Sequence, residues 1–218
     1  MDVPGVEVRP IKQMAGASEF NEVFFTDVRI ADDHRLGDVG DGWRVSLTTL
    51  MNERLAVGGK PVNSPDARSM IELARAIEAD EGNMLEQTHV RQKIADVYIQ
   101  DRGISLTRMR TMSAISSGRT PGPESSISKV VVAKLMQDMG SFAGDMGESA
   151  GLLAGADASP LPHLEALRQG YFWSAGLRIA GGTDEILRNI IAERVLGLPG
   201  DIRPDKTVPF NELHKVIS

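Results

Sequence analysis

The 218-residue chain contains no cysteine. Disulfide staples, thiolate metal sites and a cysteine nucleophile are thereby excluded. Aromatic residues are scarce at 5%, and ten methionines together with the aliphatics carry the apolar mass, which favours packed helices over a β-sandwich. Positive charge is in deficit, with 24 Lys and Arg against 30 Asp and Glu, so the net charge is −6. A basic footprint for nucleic acid or an anionic membrane is missing. No apolar run approaches the roughly 18 residues that a membrane span needs. The opening MDVPGVEVRP has neither the basic nor the apolar region of a secretion signal. There is no G-x-G-x-x-G or Walker-type phosphate loop. The four histidines, His34, His89, His163 and His214, form no H-E-x-x-H pair and read as surface or capping residues. A soluble, cytoplasmic protein without a metal site is expected.

What is present has the composition of an ordinary globular protein, 41% apolar and 25% charged, on a chain long enough to bury a core. The first forty residues are strand-like. Val3 to Val8 and Phe20 to Ile30 hold β-branched and aromatic residues in short runs, and Val23, Phe25, Asp27 and Arg29 alternate with Phe24, Thr26, Val28 and Ile30. That is the rhythm of a strand with one buried face. Two or three strands cannot stand alone in water, so this piece needs a partner surface.

From Trp43 the period becomes helical. Trp43, Leu47, Leu50, Met51 and Leu55 recur at steps of three and four up to Gly58-Gly59-Lys60-Pro61. Ser64 is placed to cap a second helix reaching about Asp80. A third is predicted from about His89 to Ser116, with Val90, Ile94, Val97, Ile104, Met109 and Met112 inside. The turn chemistry of Gly118 to Ser125 precedes a fourth, Ser126 to about Leu153, striped by Val132, Leu135, Met136, Met139, Phe142, Met146 and Leu153. A fifth is expected near His163 to Ile179, and a sixth from Thr183 to about Leu196 with Ile186, Ile190, Ile191 and Val195 inward. Leu198-Pro199-Gly200 ends the last, and a polar, extended tail runs to Ser218. The fold class read from this pattern is mainly α, a helical bundle preceded by a short β fragment. Its divisions fall at residues 1–40, 41–200 and 201–218.

The densest string is Gly181-Gly182-Thr183-Asp184-Glu185-Ile186-Leu187-Arg188-Asn189-Ile190-Ile191-Ala192-Glu193-Arg194-Val195-Leu196. Thr183 suits an N-cap, Asp184 and Glu185 complement the helix dipole, and two glycines supply a tight turn that lets backbone N–H groups approach a ligand. The string resembles the C-terminal signature of the acyl-CoA dehydrogenase family. Three further segments resemble that family in the same order. Pro4 to Ile11 with Phe20 to Ile30 is similar to the last strands of its middle β domain. Gly40 to Trp43 with Met51 to Gly59 is similar to the entry into its C-terminal helical domain, and Val90 to Asp96 to the second long helix there.

The resemblance implies a flavoprotein that introduces an α,β double bond into an acyl-CoA thioester, with FAD as hydride acceptor and a carboxylate as base. It also implies that the sequence opens inside the β domain. Many members carry the base as a Glu just before the Gly-Thr of the signature, where Gly181 stands here. Members resembling isovaleryl-CoA dehydrogenase carry it in a Glu-Arg-Leu sequence on the first C-terminal helix. Glu53-Arg54-Leu55 matches that placement, which makes Glu53 the candidate base and Arg54 the charge that shapes the substrate pocket. The same resemblance carries Gly182 to the substrate, and Thr183, Asp184, Glu185, Gln92 and Gly155 to FAD. The family's Arg-x-Thr-Phe-Gly segment has no match; the stretch reads Asp80-Glu81-Gly82-Asn83-Met84. The expected partners are an acyl-CoA substrate and either a second copy, as a dimer or tetramer, or the other chain of a heteromeric dehydrogenase. The alternative from another class is a non-catalytic helical assembly module.

Overall fold

A computed structural model describes residues 3–57, 64–119, 122–151, 161–201, 203 and 207–213, with residues 51–57 described by their backbone only. Two strands, β1 (Val6–Ile11) and β2 (Phe20–Phe25), pair antiparallel from Val6↔Phe25 to Ile11↔Phe20. The turn between them closes where the Gln13 N–H donates to the Ala17 carbonyl at 2.8 Å. Only Val6 and Val23 are half-buried, so the ribbon has no covered face. This corrects the expected run of alternation to Ile30. The second strand stops at Phe25, and Asp27 takes a left-handed φ of 53° that no strand tolerates. The ribbon meets the helices where the Phe20 ring stacks on Trp173, centroids 6.4 Å apart.

Six helices follow: α1 (Gly42–Val57), α2 (Ala67–Ala76), α3 (Thr88–Ser116), α4 (Ser125–Gly151), α5 (Leu164–Leu177) and α6 (Asp184–Ile190). The cap of α2 is Asp66 rather than Ser64. Its carboxylate accepts from the Ser69 N–H at 3.0 Å while the Asp66 N–H donates to Ser69 Oγ at 3.3 Å, a reciprocal box. The helix ends at Ala76, short of the expected Asp80, because Ile77 turns extended and a small loop closes through the Glu78↔Asn83 bridge. Gly82 supplies the φ of 72° that loop requires.

The core runs along α2, α3, α4 and α5. Met70, Leu73, Val90, Val97, Met139 and Leu167 are its largest wholly enclosed apolar side chains. On α3 the first half is buried through Val90, Ile94, Val97 and Ile104, but Met109 and Met112 are 60% and 53% exposed and do not join it. At 29 residues and about 1.5 Å per residue the helix spans about 44 Å, and among the described residues its last turns are left uncovered. On α4 the stripe of Val132, Leu135, Met136, Met139 and Met146 is buried as the period predicts; Leu153 lies outside the described residues. Glu148, with φ 45°, breaks the last turn.

Helices α4 and α5 pack closely against each other. A Cβ on Gly140 would lie 2.6 Å from the Leu167 carbonyl oxygen, so only glycine permits this approach. At the far end His163, left-handed at φ 61°, precedes α5 and sets its Nε2 2.6 Å from Glu72 Oε2 on α2. Helix α6 is continued by one π turn over Ile191–Val195. Leu187 is its enclosed apolar residue, whereas Ile186, expected inside, is 51% exposed. In the tail, Phe210–Glu212 forms a single 3-10 turn rather than extended chain. No helix among the described residues is long and apolar enough to cross a membrane.

Candidate functional site

The bend that leads into α6 is built by two consecutive glycines in left-handed conformations, Gly181 at φ 64° and Gly182 at φ 103°. At Gly182 the requirement is conformational and not spatial, since a Cβ there would meet Leu187 at an ordinary 3.6 Å. Thr183 then caps the helix, its Oγ1 accepting from the Ile186 N–H at 3.4 Å, a long bond.

Beneath this bend lies a polar cluster in an otherwise apolar setting. Asp184 is 4% exposed, and its Oδ2 accepts from Arg178 Nε at 2.6 Å. Arg178 in turn donates through Nη1 to Gln137 Oε1 on α4 at 3.1 Å. Lys129, also on α4 and 6% exposed, reaches across the fold to donate from Nζ to the Gly182 carbonyl. Burial pulls the Lys129 ammonium below its ordinary pKa, and the nearby Asp184 carboxylate partly offsets that. The second oxygen of Asp184, Oδ1, is buried with no hydrogen-bond partner among the described residues. Such an unpaired acceptor is costly, and the two neighbouring cations are what make a buried carboxylate tolerable there.

Glu185 stands outside the cluster, exposed. Its carboxylate sits below the usual carboxylate range because it accepts first from its own backbone N–H and then from the Thr183 hydroxyl. The edge of the bend therefore presents a firmly ionised carboxylate to solvent, braced by the half-buried Thr183 hydroxyl.

Of the residues singled out from sequence, Gly182, Thr183, Asp184 and Glu185 are consecutive at the bend, but Asp184 turns inward to Arg178, Thr183 is half-buried and Glu185 is exposed. Gln92 is exposed near the start of α3, a helix that packs on α2 and α4. Glu53 and Arg54 fall in the last turns of α1, which packs on α4, and their side chains lie outside the described residues. Gly155 also lies outside the described residues. Sequence reasoning misses Lys129, Arg178 and Gln137. A signal for Lys129 does exist: it stands one helical turn before Val132 and Ala133, on the buried stripe itself, where a lone cation demands a partner.

Residues 40–196 match the family model of the acyl-CoA dehydrogenase C-terminal domain. Acyl-CoA dehydrogenase IpdE1 of Mycobacterium tuberculosis is 34% identical over 205 residues, covering 93% of this chain and 50% of that protein. The chain thus spans half the length of that relative. Among solved structures, the Tcur3481-Tcur3483 steroid ACAD superposes with a TM-score of 0.75 at 22% identity, over 92% of this chain and 50% of that one. The ChsE4-ChsE5 complex of Mycobacterium tuberculosis gives 0.70 at 21%, over 90% and 51%. At those identities the superpositions establish the fold: a mainly helical bundle with a short two-stranded sheet.

Proposed function

The chain belongs to the acyl-CoA dehydrogenase family, and from that premise we propose that it forms the C-terminal helical part of a flavoprotein that desaturates an acyl-CoA thioester between Cα and Cβ. The observation that carries this reading is the bend. Its glycine conformations are those a backbone adopts to come close to a ligand, and a buried lysine and the ion pair of buried Asp184 with half-buried Arg178 hold it from below.

The outward groups suit part of FAD. Thr183 and the ionised Glu185 are hydrogen-bonding partners for the hydroxyl and amine groups of an adenosine, and are the wrong charge for a pyrophosphate. Gln92 and Gly155 are assigned to the cofactor by family resemblance, and Asp184 serves it indirectly, by fixing Arg178 and the start of α6. When bound, FAD supplies the acceptor for the β-hydride. The work of the chain itself is proton removal and positioning. Glu53 takes the α-proton on its carboxylate, Arg54 tunes the charge around it, and Gly182 lets the thioester approach the backbone. A base of this kind needs a dry pocket that raises its pKa towards neutrality. Gly181 has no side chain to offer, but backbone N–H groups at the bend remain to stabilise negative charge on the thioester oxygen.

The test is Glu53→Gln in the assembled, FAD-loaded enzyme. Flavin bleaching on mixing with acyl-CoA, followed by stopped-flow absorbance, is expected to slow by about three orders of magnitude or more, with FAD still bound. A near-normal rate removes Glu53 from the mechanism.

A second reading assigns this chain to a heteromeric dehydrogenase in which another chain brings the rest of the flavin site. The exposed ribbon favours it: Val8, Ile11, Phe20, Phe24 and Phe25 are all more than two-fifths exposed on a two-stranded sheet that cannot stand alone. Two of the solved relatives are themselves named as pairs of polypeptides. Purified alone, the chain is then colourless and self-associated; a flavin absorbance band in the isolated protein argues for the first reading.

A further inference from the structure

Lys129 is the only buried lysine or arginine among the described residues. It projects from the second turn of α4, and its ammonium donates to the carbonyl of Gly182, 53 residues away. A surface lysine could satisfy itself in water, so a buried one on the core stripe is costly unless the contact it makes does something for the fold or the site. Its partner oxygen belongs to a residue at φ 103°, a conformation that glycine reaches readily. The peptide unit carrying that carbonyl also carries the Thr183 N–H, which donates to no group among the described residues.

A charge-assisted hydrogen bond to the oxygen of a peptide polarises the whole unit and strengthens its N–H as a donor. We propose that Lys129 is a positioning residue: by donating to the Gly182 carbonyl it fixes the Gly181–Gly182 bend and primes the Thr183 N–H for a ligand oxygen that carries negative charge. The Asp184 carboxylate offsets part of the burial that pulls the Lys129 pKa down, and Asp184 is paired with Arg178, which Gln137 holds in turn. Lys129 thus acts through the backbone and need not touch substrate. This assignment rests on the reading of the bend as ligand-facing given above.

The experiment compares Lys129→Met, which keeps length and apolar volume but loses the donor, with Lys129→Arg, which keeps the charge. Amide hydrogen exchange is followed at Ile186 and Leu187, whose N–H groups donate to Thr183 at the bend, with Val97 and Met139 as core references. Loss of a hydrogen bond to a charged group corresponds to about ten-fold or greater acceleration at the bend. That is expected in Lys129→Met, with the references unchanged and protection largely regained in Lys129→Arg. Unchanged exchange at the bend in Lys129→Met overturns the assignment, and so does equal loosening in both variants, because then volume and not charge is at work. If Lys129→Met does not fold, wild-type protein decides: a hydrogen-bonded ammonium gives a slowly exchanging nitrogen resonance, and its absence overturns the proposal. In parallel, FAD is titrated into wild-type and variant assemblies by quenching of flavin fluorescence. A wild-type assembly that takes up no FAD refutes the functional reading while leaving the exchange result standing; one that binds, with binding weakened in Lys129→Met and recovered in Lys129→Arg, supports both.

Discussion

Two glycine-to-alanine substitutions on neighbouring helices are expected to move stability in opposite directions. Gly140 lies where α4 and α5 are closest, and an added Cβ would sit 2.5 Å from Tyr171 Cβ and 2.6 Å from the Leu167 carbonyl oxygen. Both obstacles are backbone or attached directly to it, so a rotamer change cannot relieve the clash and the helices themselves must separate. Overpacking typically costs 1–3 kcal/mol, and this geometry belongs at the upper end, about 3 kcal/mol. Alanine returns about 1 kcal/mol of helix propensity, leaving Gly140→Ala less stable by about 2 kcal/mol. For a chain of this size that lowers Tm by roughly 4–8 °C. Gly103, mid-way along α3, has nothing within 4 Å of the site a Cβ would take. There only the propensity term operates, and Gly103→Ala is expected to raise Tm by about 2–4 °C. Thermal melts by far-UV circular dichroism measure both. A Gly140→Ala protein that melts at or above wild type would show that the α4–α5 approach is not the one described.

Removing the cap of α2 by Asp66→Ala deletes the carboxylate that accepts from the Ser69 N–H, while the backbone N–H of residue 66 can still donate to Ser69 Oγ; the loss is expected to cost about 1 kcal/mol, read from the midpoint of urea unfolding. Glu185 is held below its ordinary pKa, so the unfolded chain binds its proton more readily than the native one. Its contribution to stability is complete above the unfolded carboxylate pKa of about 4.3 and is lost as pH falls through the lower folded value. The acid limb of the stability curve is accordingly shallower in Glu185→Gln, and urea midpoints between about pH 6 and pH 3 test this.

The helical part of the fold is legible in the sequence because burial on one face imposes a 3.6-residue period. Helix α3 starts at Thr88 against an expected His89, and α4 at Ser125 against Ser126. Where a boundary moves, a local contact decides it: at α2 the Asp66–Ser69 box outcompetes Ser64, and the loop through Gly82 stops the helix early. What periodicity cannot say is whether a neighbour is present to cover the stripe, hence the exposed Met109 and Met112 and the choice of Leu187 over Ile186 at α6. The bend at Gly181–Gly182 is readable from its residue types. The groups beneath it are not, since Lys129, Gln137 and Arg178 are brought together only by the crossing of α4 with the segment that leads into α6.

Helix α4 touches each of the other five helices. Through Lys129 and Gln137 it also fixes the glycine bend, and through the Gly140 approach it fixes α5, whose Trp173 carries the β ribbon. One rod is therefore the common datum for pieces that make no direct contact in sequence. A small roll of that rod about its long axis would retune the bend and the ribbon together, so disturbances entering at either end would arrive at the other without any linker having to bend.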